Sequence, residues 1–192
     1  AAMTAASTPD PPPVTILIPA YNLAAYLAAA VQSALKQSYA GPLMILILDD
    51  GSTDETLRVA RELAAQHPSV KVQTQSNQGR AGTRNRLLQW AATELVGWLD
   101  GDDLASPNWI EQQVRHLVEH PECLAVSGQG YSMTARARVE SMRVSAVTLS
   151  MTRRSASPPI SAISPASSCN SRCLSRTVST ALPSGGRATT WR

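Results

Sequence analysis

The chain has 192 residues, 43% of them hydrophobic and 16% charged, with a formal net charge of +3; this fits one domain with a remainder, or two small domains, and is long enough to bury a core. Its longest run of large aliphatic residues, LMILIL at 43–48, falls far short of the roughly 20 residues that cross a bilayer, so no membrane span is expected. Cys123, Cys169 and Cys173 form an odd set without metal-ligand spacing, which argues against a disulfide framework and against a zinc site.

The charge is unevenly placed. Residues 1–132 hold 8 Lys+Arg against 13 Asp+Glu, whereas residues 133–192 hold 9 against 1. Within those last 60 residues 20 are Ser or Thr, and no strand or helix period persists. Such a segment has too little apolar surface to offset its ordering entropy.

In chain order, AAMTAASTPDPPP lacks the basic start and apolar centre of a secretory signal and reads as a flexible leader over 1–13, with a cytoplasmic protein as the expectation. VTILIPA, 14–20, is a strand closed by Pro19. A helix follows over 22–38, with Asn22 as N-cap and Leu23, Tyr26, Leu27, Val31 and Leu35 at helical spacing. LMILILDD, 43–50, is apolar enough for a strand covered on both faces. The helix over 52–67 opens with a capping box from Ser52 to Glu55. A third strand over 70–76, a helix over 79–93 and a fourth strand, ELVGWLD, over 94–100 complete the pattern. Ser106 and Pro107 then mark the start of a helix over 107–120, and 123–133 is a fifth strand candidate in which Cys123 is simply a small apolar side chain.

Strands alternating with helices imply crossover connections and a mostly parallel sheet flanked by helices, with ligands at the carboxyl ends of the strands. Polar clusters fall at three such ends, which implies one shared cleft. In PAYN, Tyr21 could stack on a nucleobase while Pro19 aims the turn; the plainer alternative packs Tyr21 on the helix and leaves Asn22 as a cap. In DDGSTDET, Asp54 and Glu55 suit a helix N-terminus, but that does not account for Asp49 and Asp50, which could accept hydrogen bonds from a base or ribose. In NQGRAGTRNR, three arginines enter a helix at the end that disfavours cations; Arg80 and Arg86 fit a solvated face, and Arg84 is the candidate for a nucleotide contact. Neither GxxxxGK[ST] nor GxGxxG occurs. Finally, LDGDD crowds Asp100, Asp102 and Asp103 at the end of an apolar run. Hard oxygen ligands of this kind suit magnesium or manganese, held by one or two carboxylates together with substrate phosphates; Asp103 fits a helix-capping turn, and Asp100 does not.

Taken together, PAYN, DDGSTDET, NQGRAGTRN and LDGDD, in this order across residues 14 to about 132, resemble the family 2 glycosyltransferases of the GT-A fold, in their N-terminal nucleotide-sugar-binding half. The resemblance implies an inverting, Mn2+- or Mg2+-dependent enzyme that takes a sugar from a nucleotide diphosphate donor, most often a UDP-sugar. It implies that Pro19 and Tyr21 flank the base, that the pair Asp49 and Asp50 lies in the nucleotide site with Asp50 on a ring nitrogen, and that Arg84 lies near the nucleotide. Asp102 becomes the metal ligand, and Asp100 faces ribose or a metal-bound water. The acceptor, whether glycan, lipid or protein, is not implied; peripheral attachment to the inner face of the membrane stays open, and no specific nucleic acid is expected.

An inverting transfer also needs a general base. After residue 132 the only carboxylate is Glu140, in no acidic motif, so a catalytically incomplete nucleotide-sugar-binding remnant is the competing reading. Three accounts remain for residues 133–192: a shifted reading frame in a GC-rich gene, consistent with 15 Arg against 2 Lys in the chain; a disordered basic tail; or a diverged acceptor lid.

Overall fold

The computed structural model describes residues 10–128, 130–133, 139–145 and 150–154; most of the leader, and the rest of the Ser/Arg-rich segment with Cys169 and Cys173, lie outside the described residues. The described elements run β1 (Val14–Ala20), α1 (Leu27–Leu35), β2 (Leu43–Asp49), α2 (Thr56–Gln66), β3 (Val70–Thr74), α3 (Gly79–Trp90), β4 (Leu95–Trp98), α4 (Trp109–Glu119), β5 (Ala125–Ser127), β6 (Gly130–Met133), β7 (Val139–Ser145) and β8 (Ser150–Arg153). The main sheet has the order β3-β2-β1-β4-β8-β5, and β6 pairs with β7 in a separate two-stranded ribbon.

Side-chain alternation along the strands builds two apolar layers. Ile16, Ile18, Ile45 and Ile47 point to one face, where they meet Leu27 and Val31 of α1, Leu63 of α2, and Ile110 and Leu117 of α4. Leu17, Leu46, Leu48, Val96 and Trp98 point to the other, against Leu87 of α3. Burial on both faces explains why β1 and β2 are continuous apolar runs rather than alternating ones; each fully buried Ile or Leu contributes roughly 1.5–3 kcal/mol.

The strands β3, β2, β1 and β4 pair in parallel. The chain winds outward from β1 to β3 and then crosses back to place β4 on the other side of β1. The winding reverses there, and in sheets of this kind ligands bind outside the carboxyl ends of the strands at such a reversal.

Three local expectations change. The first helix begins at Leu27 with Tyr26 at its N-cap; Asn22 lies outside it, in the left-handed region at φ 53°, because its polar groups are drawn to the next loop. The Ser52–Glu55 capping box does not form: α2 begins at Thr56, Ser52 N–H turns back to Asp49 Oδ1 at 3.3 Å, and Glu55 pairs with Arg58 at 2.5 Å. The last helix starts at Trp109 rather than at Pro107, although Ser106 C=O still accepts from Trp109 N–H.

The fifth strand candidate divides between β5 and β6. β5 does not lie beside β4, because β8 enters between them and runs antiparallel to both. Met151, opposite both Gly97 and Val126, is fully buried in the larger core. Arg153 ion-pairs with Glu94 and donates to Leu117 C=O at 3.0 Å. Arg154 N–H bonds Glu94 C=O at 2.7 Å. Residues 150–153 thus form a sheet strand inside a segment whose composition predicts no element.

Candidate functional site

The site is assembled at the carboxyl ends of β1, β2 and β4. The register sets Asp49, the last residue of β2, opposite Ala20 of β1 and Thr74 of β3. Asp50 N–H then donates to Ala20 C=O at 2.9 Å, tying the acidic pair to the residue just before Tyr21. On the other side Leu99 N–H donates to Leu17 C=O at 3.1 Å, which carries β1–β4 pairing one residue past β4 and delivers Asp100 to the same end of the sheet.

Asp49 and Asp50 are both buried, and their bonds differ. Asp49 accepts from Ser52 N–H through Oδ1 and from the Thr74 hydroxyl through Oδ2 at 2.8 Å. Asp50 Oδ1 accepts from Gln75 Nε2 at 2.7 Å and from Gln78 N–H at 2.8 Å. Burial by itself pushes the Asp50 carboxyl upward and is the largest single influence, but the donors Gln75, Gln78, Thr83 and Gly79 together hold it below the usual carboxylate range. Asp50 is therefore an ionised acceptor in fixed orientation at the start of α3. Between the two loops Gly51 has φ +73°, and a Cβ there would lie 3.0 Å from Asn77 N, so only glycine fits both the turn and the approach.

Arg84 projects from the second turn of α3. Its Nη2 lies 2.6 Å from Asp100 Oδ1, its guanidinium carbon lies 4.9 Å from the centre of the Trp98 ring, and its Nε is buried without a hydrogen-bond partner among the described residues. Arg80 and Arg86 are exposed, as their place on the solvated face predicts. Gly101 is buried: a Cβ there would stand 2.8 Å from Leu23 Cδ1 and 3.3 Å from Pro19 C=O, so the acidic turn rests directly on the end of β1.

Asp102 is exposed and has no ion-pair partner among the described residues. Asp103 is half-buried, and burial, then the charges of Asp102 and Asp100, push its carboxyl up to about 6. Three carboxylates with Arg84 as their recorded counter-ion leave local negative charge in excess, which suits a cation. Among the described residues, however, no three His, Cys, Asp or Glu side chains stand close enough to hold a metal by themselves. A divalent ion here fits two carboxylates completed by ligand oxygens.

Pro19 lies within β1 and Tyr21, 47% exposed, just beyond it, at the sheet end that carries the acidic turns. The structure thus draws together the first three clusters and Asp100 through Asp50–Ala20, Asp50–Gln78, Arg84–Asp100 and Gly101–Pro19 contacts. Sequence reasoning missed Thr74, Gln75 and Gln78, the donors that fix the acidic pair, and the turn from Asn22 to the second loop. Glutamine and threonine in a polar loop carry no distinguishing pattern, and only the register places them beside Asp49 and Asp50.

A family model described as glycosyl transferase family 2 matches residues 15–172. The chain is 41% identical over 100 residues to a chondroitin synthase of Escherichia coli, covering 52% of this chain and 14% of that protein. It is 38% identical over 111 residues to the putative glycosyltransferase EpsE of Bacillus subtilis (strain 168), covering 57% and 40%. The match therefore spans less than half the length of each of these relatives. Among solved structures, the mannosyltransferase PcManGT of Pyrobaculum calidifontis, in complex with GDP-Man and Mn2+, superimposes with a TM-score of 0.61 at 24% identity, covering 77% of this chain and 47% of that one. S. aureus TarS in complex with UDP gives 0.57 at 24% identity, covering 68% and 39%. The fold is that of GT-A glycosyltransferases.

Proposed function

The chain belongs to glycosyl transferase family 2, and from that premise we propose that it binds a nucleotide diphosphate sugar, with UDP as the nucleotide, at the carboxyl ends of β1, β2 and β4 and transfers the sugar with inversion. The observation that carries this reading is the convergence of Tyr21, Asp50 and the Asp100–Asp103 turn on one sheet end, joined by the Asp50–Ala20 and Arg84–Asp100 contacts.

In this reading Asp50, held ionised, accepts from the base, Asp49 fixes the turn that presents it, and Pro19 and Tyr21 flank the base. Asp100, aimed by Arg84, faces the ribose or a metal-bound water, and Asp102 holds Mn2+ or Mg2+. When bound, the ion supplies Lewis-acid stabilisation of the charge that grows on the departing diphosphate. Arg84 neutralises part of the carboxylate charge, which would otherwise oppose approach of the diphosphate. No general base is assigned, and the acceptor is a glycan, lipid or protein. Among the described residues no helix is long and apolar enough to cross a membrane; a place on the cytoplasmic side, free or at the membrane face, goes with the reading.

The experiment is a calorimetric titration with UDP, with and without Mn2+. Metal-dependent binding that Asp102→Ala abolishes supports a donor site, and binding indifferent to both overturns it. Release of UDP from a UDP-sugar on addition of acceptor mixtures separates a transferase from a nucleotide-sugar-binding remnant.

A further inference from the structure

We propose that Asn22 is a positioning residue for the nucleotide, clasping the loop that carries Tyr21 onto the loop that carries Asp50; this rests on the function proposed above.

Asn22 is the one non-glycine residue at positive φ among the described residues. Asparagine tolerates that region better than most, but such a conformation persists only where its surroundings fix it, and it is an observation that invites a functional explanation. Helix capping does not supply one, since α1 begins five residues later. Every recorded bond of Asn22 instead crosses to the second loop. Its N–H donates to Ser52 Oγ at 3.0 Å, and its Oδ1 accepts from Thr53 N–H at 2.8 Å and from the Thr53 hydroxyl at 3.3 Å.

Two further bonds run in parallel. Leu23 N–H donates to Thr56 Oγ1 at 2.7 Å, and Ala24 N–H donates to Asp54 Oδ2 at 3.1 Å. Asp54 is itself held by Thr56, whose N–H and hydroxyl both donate to Oδ1. The Thr56 hydroxyl bond is the main reason that the Asp54 carboxyl lies below the usual range, so it accepts as an anion at neutral pH. The Asn22 bonds are solvent-exposed and add little to global stability, because water competes for the same groups. What they do fix is the relative placement of adjacent residues. Tyr21 precedes Asn22 directly, while Asp50 precedes Ser52 by two residues across the constrained Gly51. Loops held in the bound arrangement spare the ligand the cost of ordering them.

Asn22→Gly keeps a backbone that accepts positive φ and deletes the carboxamide, which separates the clasp from conformational strain. Amide hydrogen exchange on the ligand-free protein should lose protection at Thr53 and Ala24 while β1 and β2 keep theirs. The Kd for UDP with Mn2+ should rise about tenfold, whereas the Kd for pyrophosphate with Mn2+, which engages the metal turn alone, should stay within about twofold. Ser52→Ala, which removes a single bond, should move the UDP value in the same direction by about threefold and serves if the glycine variant does not fold. An unchanged UDP Kd despite lost protection, or equal losses for UDP and pyrophosphate, overturns the inference while leaving the donor site standing. A wild-type protein that protects these amides but binds no UDP overturns both, and reduces Asn22 to a structural contact.

Discussion

The guanidinium of Arg84 stands 2.6 Å from Asp100 Oδ1 and 4.9 Å from the centre of the Trp98 ring, bridging α3 to the acidic turn after β4. The pair is more than one-third exposed on both sides, so solvent screens it and its share of fold stability stays under about 1 kcal/mol. Its consequence lies in aiming Asp100. Arg84→Ala should leave the urea midpoint nearly unchanged and weaken UDP–Mn2+ binding about tenfold or more, and Arg84→Lys should recover only part, because an ammonium lacks the planar fork that bonds and stacks at once. A large shift of the midpoint with intact binding would contradict this.

Asp102 is exposed and unpaired among the described residues, so its removal costs the fold little. Asp102→Ala should keep the melting temperature within about 2 °C and abolish the Mn2+ dependence of UDP binding in calorimetry. Asp102→Asn should do the same, since a neutral amide is a poorer ligand for a hard cation.

Gly101→Ala tests the seat of the acidic turn. The added methyl would stand 3.3 Å from Pro19 C=O and 2.8 Å from Leu23 Cδ1. Leu23 is a flexible side chain and can yield, whereas the contact with the backbone carbonyl must open by a few tenths of an ångström, which loosens the seat of the turn on β1. The expected outcome is a loss of about 1–3 kcal/mol in urea denaturation together with weaker UDP–Mn2+ binding.

The pH dependence of the metal-free protein has a defined sign. The Asp103 carboxyl is raised in the folded state from the usual 3.8 to about 6. Between these values the folded protein holds more protons than the unfolded chain, so stability falls as pH climbs from about 4 to about 6 and then levels off. Asp50, lowered by its donors, acts oppositely and below pH 4. Asp103→Asn removes the first contribution. The melting-temperature gain of the variant over the wild type should be near zero at pH 4 and grow to a few degrees by pH 7; a gain that shrinks as pH rises would refute the assignment.

Met151→Ala examines whether the strand from the Ser/Arg-rich segment belongs to the domain. Met151 is fully buried between Gly97 and Val126, so truncation should cost about 2–4 kcal/mol, through lost transfer energy and a residual cavity. A chain in which β8 is detached would show no change in the denaturation midpoint.

Much of this molecule was legible in its sequence because the signals were local. Apolar runs of strand length, helical periods and polar clusters at the strand ends fix β1 to β4, α1 to α4 and the sheet end at which Tyr21, Asp50 and Asp100 gather; a parallel sheet covered on both faces leaves few other arrangements. The motifs PAYN, DDGSTDET, NQGRAGTRN and LDGDD carry the family in the sequence itself. Tertiary structure alone decided which partners those residues take. Asn22 and Ser52 have the side chains of helix caps and sit near helix starts, yet each bonds the other's loop, because the β1–β2 register brings the two turns within hydrogen-bond reach. The Arg84–Asp100 pair depends on how α3 lies across the sheet, and the donors of Asp50 depend on the path from β3 into α3. β8 was invisible for a related reason: four residues with one buried methionine carry no period, and they form a strand only because β4 and β5 offer edges on either side. Propensity is a property of a short stretch, whereas a hydrogen bond needs two stretches at a fixed distance, and that distance is set by packing.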